Sequence, residues 1–129
     1  MSSAQPPVDR YAQHLGIEVT GHGGGRAEAL VTVAEDHLNP HETTHGAFIF
    51  AVVGTAVAAA ANDDEHTGVA SSIHIDYLRP TRLGDTLHAT AEVAERLPKE
   101  DIFVVRVTDP DGEVVARATA RFTRRVRAE

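Results

Sequence analysis

The chain has 129 residues, no cysteine, a hydrophobic fraction of 42% and a net charge of −7 with histidines counted as neutral. That length suits one domain and can bury a core without staples, while the missing cysteines exclude disulfide frameworks, zinc ribbons and thiol nucleophiles and fit a reducing compartment. Lys99 is the only lysine beside eleven arginines, and the acidic balance argues for solubility and against nucleic-acid binding, which needs a positive surface.

The first ten residues are polar and proline-bearing, with no apolar stretch of a targeting segment, so a cytoplasmic location is expected. Residues 7–15 read as a short amphipathic helix ending near Gly16, and residues 17–20 as a short strand. The run Gly21-His22-Gly23-Gly24-Gly25 is a turn cluster. It lacks the lysine and the following helix of a phosphate loop, so a hairpin is expected. In residues 26–33, Ala27, Ala29, Val31 and Val33 alternate with Glu28, Leu30 and Thr32, which predicts a half-buried strand. Residues 36–44 form a polar loop containing Asn39-Pro40.

Residues 47–61 are apolar apart from Gly54 and Thr55. Their alanine content favours a helix, and apolarity nearly all round predicts burial nearly all round. Such a helix is roughly 22 Å long and falls short of the roughly 20 residues that span a bilayer, so no membrane association is expected. Asn62 closes it, and Asp63, Asp64 and Glu65 read as a solvated surface run.

The second half reads as strands. Residues 69–78 form the first, stopped by Arg79-Pro80. Gly84-Asp85 turns into residues 86–95, then 102–108, and Asp109-Pro110-Asp111-Gly112 is a hairpin turn. Val114, Ala116, Ala118, Ala120 and Phe122 share one face of the last strand, and residues 124–129 read as a frayed tail. The layout predicts an α+β fold, a curved antiparallel sheet wrapped around one long apolar central helix, as a single domain over residues 1–129 with its core at about 10–125. Such a sheet leaves an edge and part of the helix uncovered. Pairing through residues 69–78 or a neighbouring strand predicts a dimer or a dimer of dimers.

The segment His37-Leu38-Asn39-Pro40-His41-Glu42-Thr43-Thr44-His45-Gly46-Ala47 resembles the signature of the PaaI-type (phenylacetate-pathway) hotdog thioesterases, in which an Asn, a short gap and His-Gly-Gly open the central helix. Ile75-Asp76-Tyr77-Leu78-Arg79-Pro80 resembles that family's strand ending in Arg-Pro, and Gly84-Asp85 its turn. The resemblance covers roughly residues 10–125. It implies a hotdog fold and hydrolysis of an acyl-CoA thioester to free acid and CoA, with no cofactor beyond that substrate and no metal. It also implies a homodimer or homotetramer with shared active sites. Asn39 would hold water or substrate, and His45 would shape the loop. Gly46 and Ala47 would offer backbone N–H groups to a developing oxyanion, small residues letting the substrate approach the main chain.

One departure stands out. The family's acidic residue lies nine positions after the motif histidine, where this chain has Gly54, and no acid occurs between Glu42 and Asp63. The glycine fits either close helix packing or simple loss of the acid, or else a site with another base or room for a bulky acyl group. Ala47 stands where the family has its second glycine. His41 or Glu42 could activate water, and the Thr55 hydroxyl is expected to bond back to its own helix. Ser71, Ser72 and His74 sit on the strand that lines the pantetheine channel in relatives. Arg79, Arg82, Arg124 and Arg125 could meet CoA phosphates or form surface ion pairs. Asp36, His37, His41 and His45 fit no closed zinc pattern. Residues 36–41 also partly resemble the Asp-x-Asn-Pro-x-His motif of hotdog enoyl-CoA hydratases, with spacings off by one. A hydratase and a non-catalytic acyl-CoA binder therefore stay open as alternatives.

Overall fold

The computed structural model describes residues 8–127. In chain order it has α1 (Arg10–Leu15), β1 (Glu18–Gly23), β2 (Arg26–Thr32), a 3-10 turn (Glu35–His37), α2 (Gly46–Ala61), β3 (His66–Tyr77), β4 (Thr86–Arg96), β5 (Glu100–Thr108) and β6 (Val114–Val126). The six strands form one antiparallel sheet in the order β1-β2-β4-β5-β6-β3. α2 therefore carries the chain from β2 across the sheet to the far edge, where β3 lies, and the meander β4-β5-β6 fills the gap. This is the hotdog arrangement.

The packing follows from residue size. The helix-facing side of the sheet is rich in alanine: Ala27 and Ala29 on β2, Ala89 and Ala91 on β4, Ala116, Ala118 and Ala120 on β6, all buried. Small side chains let α2 seat close to the strands, and its larger Val52, Val53 and Val57 fill the space between, each fully buried. Burying a valine fully stabilises by roughly 1.5–3 kcal/mol. Phe103 and Phe122 meet edge to face, ring centroids 5.6 Å apart. Asp9 caps α1 by accepting from the Ala12 N–H, and Gly16, at φ 80, ends it in the left-handed conformation that glycine adopts without strain. No helix of the described residues is long and apolar enough to cross a membrane.

Several boundaries differ from the sequence reading. α1 begins at Arg10, and Pro7 lies outside the described residues. β1 extends through Gly21, His22 and Gly23, which pair with β2 after a bulge, leaving Gly24-Gly25 as the turn. On β6, Val115 and Ala116 are both buried and Val114 only partly, because the register shifts at the β5–β6 end. The clean alternation starts at Ala116.

The tail is not frayed through residue 127: β6 pairs with residues 66–68 of β3 up to Val126. Arg124 bonds Leu97 O and forms an ion pair with the buried Asp101 carboxylate, and Arg127 Nε donates to Asp63 O at 2.6 Å. Nor is Asp63 a surface residue. It is buried at 8% exposure and its Oδ1 accepts from the Glu65 and His66 N–H groups. Burial works against its ionisation. The two N–H bonds and the charges of His66 and Arg96 outweigh that and hold its pKa below the ordinary 3.8.

Candidate active site

The site begins with a loop that folds around one side chain. Leu38 and Thr44 form an isolated bridge, and Asn39 N–H donates to Thr43 O at 2.8 Å. Inside the loop, Asn39 Oδ1 accepts from the His41 and Thr43 N–H groups at 2.8 and 3.2 Å, and Nδ2 donates to Thr43 Oγ1 at 2.8 Å. An amide supplies both donor and acceptor, which is why this position suits Asn. The turn puts Glu42 at φ 63, in the left-handed region, with its side chain exposed.

The segment that follows is clamped on both sides. Thr44 N–H donates to Thr81 O at 2.8 Å, and Thr81 Oγ1 donates to Thr44 Oγ1 at 2.7 Å, both residues buried. His45 N–H donates to His37 O at 2.8 Å. His37 is itself structural: its Nδ1 accepts from the Ala34 N–H, and its ring stacks on Phe48 at 3.7 Å between centroids.

His45 then caps α2, its Nδ1 accepting the Ala47 N–H at 2.9 Å. An accepting Nδ1 places the ring proton of neutral imidazole on Nε2. The Phe48 and Ile49 N–H groups both go to His45 O. Of the two N–H groups expected to face substrate, Ala47's is thus occupied by the His45 ring. Gly46's has no acceptor among the described residues, and it sits at the positive end of the helix dipole. Tyr77, at the end of β3, donates its hydroxyl to Gly46 O at 2.9 Å. Its ring lies 3.4 Å from where a Cβ on Gly46 would stand. Gly46 and Tyr77 open on a cleft of about 280 Å³ walled also by Thr44, Ile49, Leu78, Arg79 and Pro80.

The other expected residues are placed as follows. Gly54 lies eight residues further along α2, roughly 12 Å from Gly46 by helical rise. A Cβ there would meet nothing within 4 Å, so close packing within the protomer does not require the glycine. The adjacent Thr55 hydroxyl bonds back to Ala51 O at 2.8 Å. Ser71 sits at a bulge and donates to Arg121 O. Ile73 and Ile75 pack on the core, so Ser72 and His74 alternate to the opposite face of the sheet, where His74 pairs with Asp76 at 3.1 Å. They do not come together with Gly46 within the chain. Arg79 does line the cleft, with Glu113 at 3.7 Å, while Arg82 is exposed and its N–H serves the Asp85 turn. Among the described residues no three His, Cys, Asp or Glu side chains are placed to hold a metal.

The sequence reading passed over Thr44, Thr81 and the contact of Tyr77 with Gly46. Period-2 alternation does put Tyr77 on the helix side with Ile73 and Ile75. Nothing local signals that Thr81 reaches back 37 residues to Thr44.

This fold is shared with known proteins. The chain belongs to the thioesterase superfamily, whose sequence profile matches residues 41–116. It is 35% identical over 108 residues to the acyl-coenzyme A thioesterase PaaI of Escherichia coli, covering 84% of this chain and 77% of that one. The structure of the E. coli PaaI protein superposes with a TM-score of 0.87 at 33% identity, over 91% of this chain and 85% of that one. An asparagine-to-aspartate mutant of the phenylacetic acid degradation protein PaaI from Thermus thermophilus gives 0.85 at 31% identity, over 89% and 98%.

Proposed function

We propose that this protein hydrolyses an acyl-CoA thioester to the free acid and CoA, at a site built around the Gly46 N–H. The observation that carries the reading is that N–H: without an acceptor among the described residues, at the start of a sixteen-residue helix, and on a glycine that lines the cleft at Tyr77. Likeness to an E. coli protein described as an acyl-CoA thioesterase supports the substrate class.

The chemistry follows from the geometry. The thioester carbonyl oxygen accepts from Gly46 N–H. As water adds to the carbonyl carbon, negative charge gathers on that oxygen beside the helix dipole, where it is stabilised more than in the ground state. The tetrahedral intermediate collapses with cleavage of the C–S bond. The CoA thiolate leaves and takes up a proton, and the acid is released. The family resemblance gives Asn39 the part of holding water or substrate, for which one Nδ2 hydrogen remains once its loop bonds are made. With no side chain at position 54, the base that receives the water proton comes from the loop, and Glu42 is the candidate.

The functional unit is a dimer. β3 is a sheet edge of twelve residues with Val69 72% exposed. The other edge, β1, is half as long. An exposed long edge calls for a partner strand. Pairing two copies of β3 would complete the sheet, and the family resemblance then sets Gly54 of one copy facing the Gly46 turn of the other.

One assay panel tests the function: thiol release from a range of acyl-CoAs, hydration of an enoyl-CoA, and equilibrium binding of a non-hydrolysable analogue. Thiol release is expected. Hydration without release would make it a hydratase, and tight binding with neither would make it a binder. A strictly monomeric mass by light scattering at micromolar concentration would overturn the shared site.

A further inference from the structure

We infer that Tyr77 is a positioning residue for the substrate-polarising turn, acting through the Gly46–Ala47 peptide; this rests on the hydrolase reading above. Gly46 is the most pliable residue at the start of α2, since without a Cβ its backbone torsions are weakly restrained. Yet its N–H must be aimed at the carbonyl oxygen for the helix dipole to act on it. The Gly46–Ala47 peptide is gripped at both ends. Its oxygen accepts from the Tyr77 hydroxyl at 2.9 Å, and its N–H donates to His45 Nδ1 at 2.9 Å. The Gly46 N–H itself belongs to the preceding peptide, whose oxygen, His45 O, accepts from the Phe48 and Ile49 N–H groups. Tyr77 and the His45 ring fix the peptide on the other side of Gly46, so both planes that flank its φ and ψ are held and the N–H keeps one direction.

The two bonds also form a single polarised chain, from phenol to peptide to imidazole, in which each bond strengthens the next. Tyr77 reaches this position from the other side of the cleft, 31 residues away in sequence. It is half exposed, at 51%, so its ring contributes little burial. A tyrosine is needed here for its hydroxyl. Phenylalanine would fill the same space against Gly46 and leave the peptide oxygen without its outside donor.

The test is Tyr77→Phe, with three readouts. kcat for thiol release is expected to fall about tenfold, about 1.4 kcal/mol of transition-state stabilisation, with KM within twofold. The carbonyl stretch of a bound ketone analogue, in which CH2 replaces the thioester sulfur, is expected to move back toward its value in water. Exchange of the Ala47 amide proton is expected to quicken while amides in the middle of α2 keep their rates. Unchanged kcat in an active protein, or a lower kcat with an unmoved carbonyl stretch, would overturn the inference. If the wild-type protein releases no thiol, the hydrolase reading is what fails. Ala47 exchange then decides whether Tyr77 holds the turn, and an unchanged rate would overturn that as well.

Discussion

Replacing Gly54 with aspartate puts a carboxylate on α2 at the position where the family resemblance expects one. A Cβ at residue 54 meets no atom within 4 Å, so the protomer imposes no steric penalty. Aspartate and glycine differ by only about 0.3 kcal/mol in helix propensity, which moves Tm by about 1–2 °C for a chain of this size. The position is half-buried, and partial burial raises a carboxyl pKa toward neutrality, as a general base requires. If the Gly46 turn already polarises the carbonyl, the added base is expected to raise kcat for thiol release about 100-fold, at the low end for general-base catalysis. The base acts only when deprotonated. The rate of the variant should therefore climb with pH through the pKa of the new carboxylate and fall below it, whereas Gly54→Ala keeps the pH profile of the wild-type loop base. Gly54→Ala adds the bulk without the base and is expected to leave kcat near wild type. Equal loss of activity in the Asp and Ala variants would refute the reasoning: the glycine would then make room for substrate or for the partner helix.

Two further outcomes follow from the hydrogen bonding. Asn39→Ala leaves the His41 and Thr43 N–H groups without their acceptor, at a cost of about 1 kcal/mol and a drop in Tm of roughly 3–5 °C. Asn39→Asp keeps both bonds and should hold Tm near wild type while sharing a tenfold loss of kcat; if kcat survives in the Ala variant, Asn39 serves only the loop. Asp63 has its pKa held below 3.8 in the folded state, so its contribution to stability is present above that value and is lost as pH falls through the lower folded pKa. Asp63→Asn should therefore flatten the decline of Tm with acidification below pH 3.8, and an acid limb identical to wild type would contradict the assignment.

Legibility in the sequence tracked how local the cause was. α2 is legible because fifteen near-continuous apolar residues, many of them alanine, suit a buried helix better than any strand. The helix-facing sides of β2, β4 and β6 are legible because their small apolar residues alternate. The start of β3 and the end of β6 carry no such alternation. They pair because the Asn62 side chain brackets Gly68, accepting its N–H and donating to its carbonyl, each at 3.2 Å, and because Asp63 and Arg127 tie the helix end to the last strand. At the site, Asn39, His45 and Gly46 stand out through their motif. The occupation of the Ala47 N–H by the His45 ring, the Thr44–Thr81 clamp and the hydroxyl of Tyr77 do not, since each depends on geometry that only the folded chain creates.

The central claim is that the Gly46 N–H receives the charge developing on a thioester oxygen, and Gly46→Pro tests it most directly. Proline is tolerated in the first turn of a helix, where it removes an N–H that makes no helical bond. His45, at φ −64 and ψ 136, already has the extended backbone that a residue before proline adopts. Gly46→Ala is the companion variant: its Cβ meets the same Tyr77 ring at 3.4 Å but it keeps the N–H. Thiol release from an acyl-CoA is predicted to fall 100- to 1,000-fold in the Pro variant relative to the Ala variant, as for loss of an oxyanion donor, with both proteins folded. A folded Pro variant that hydrolyses as fast as the Ala variant would contradict the account.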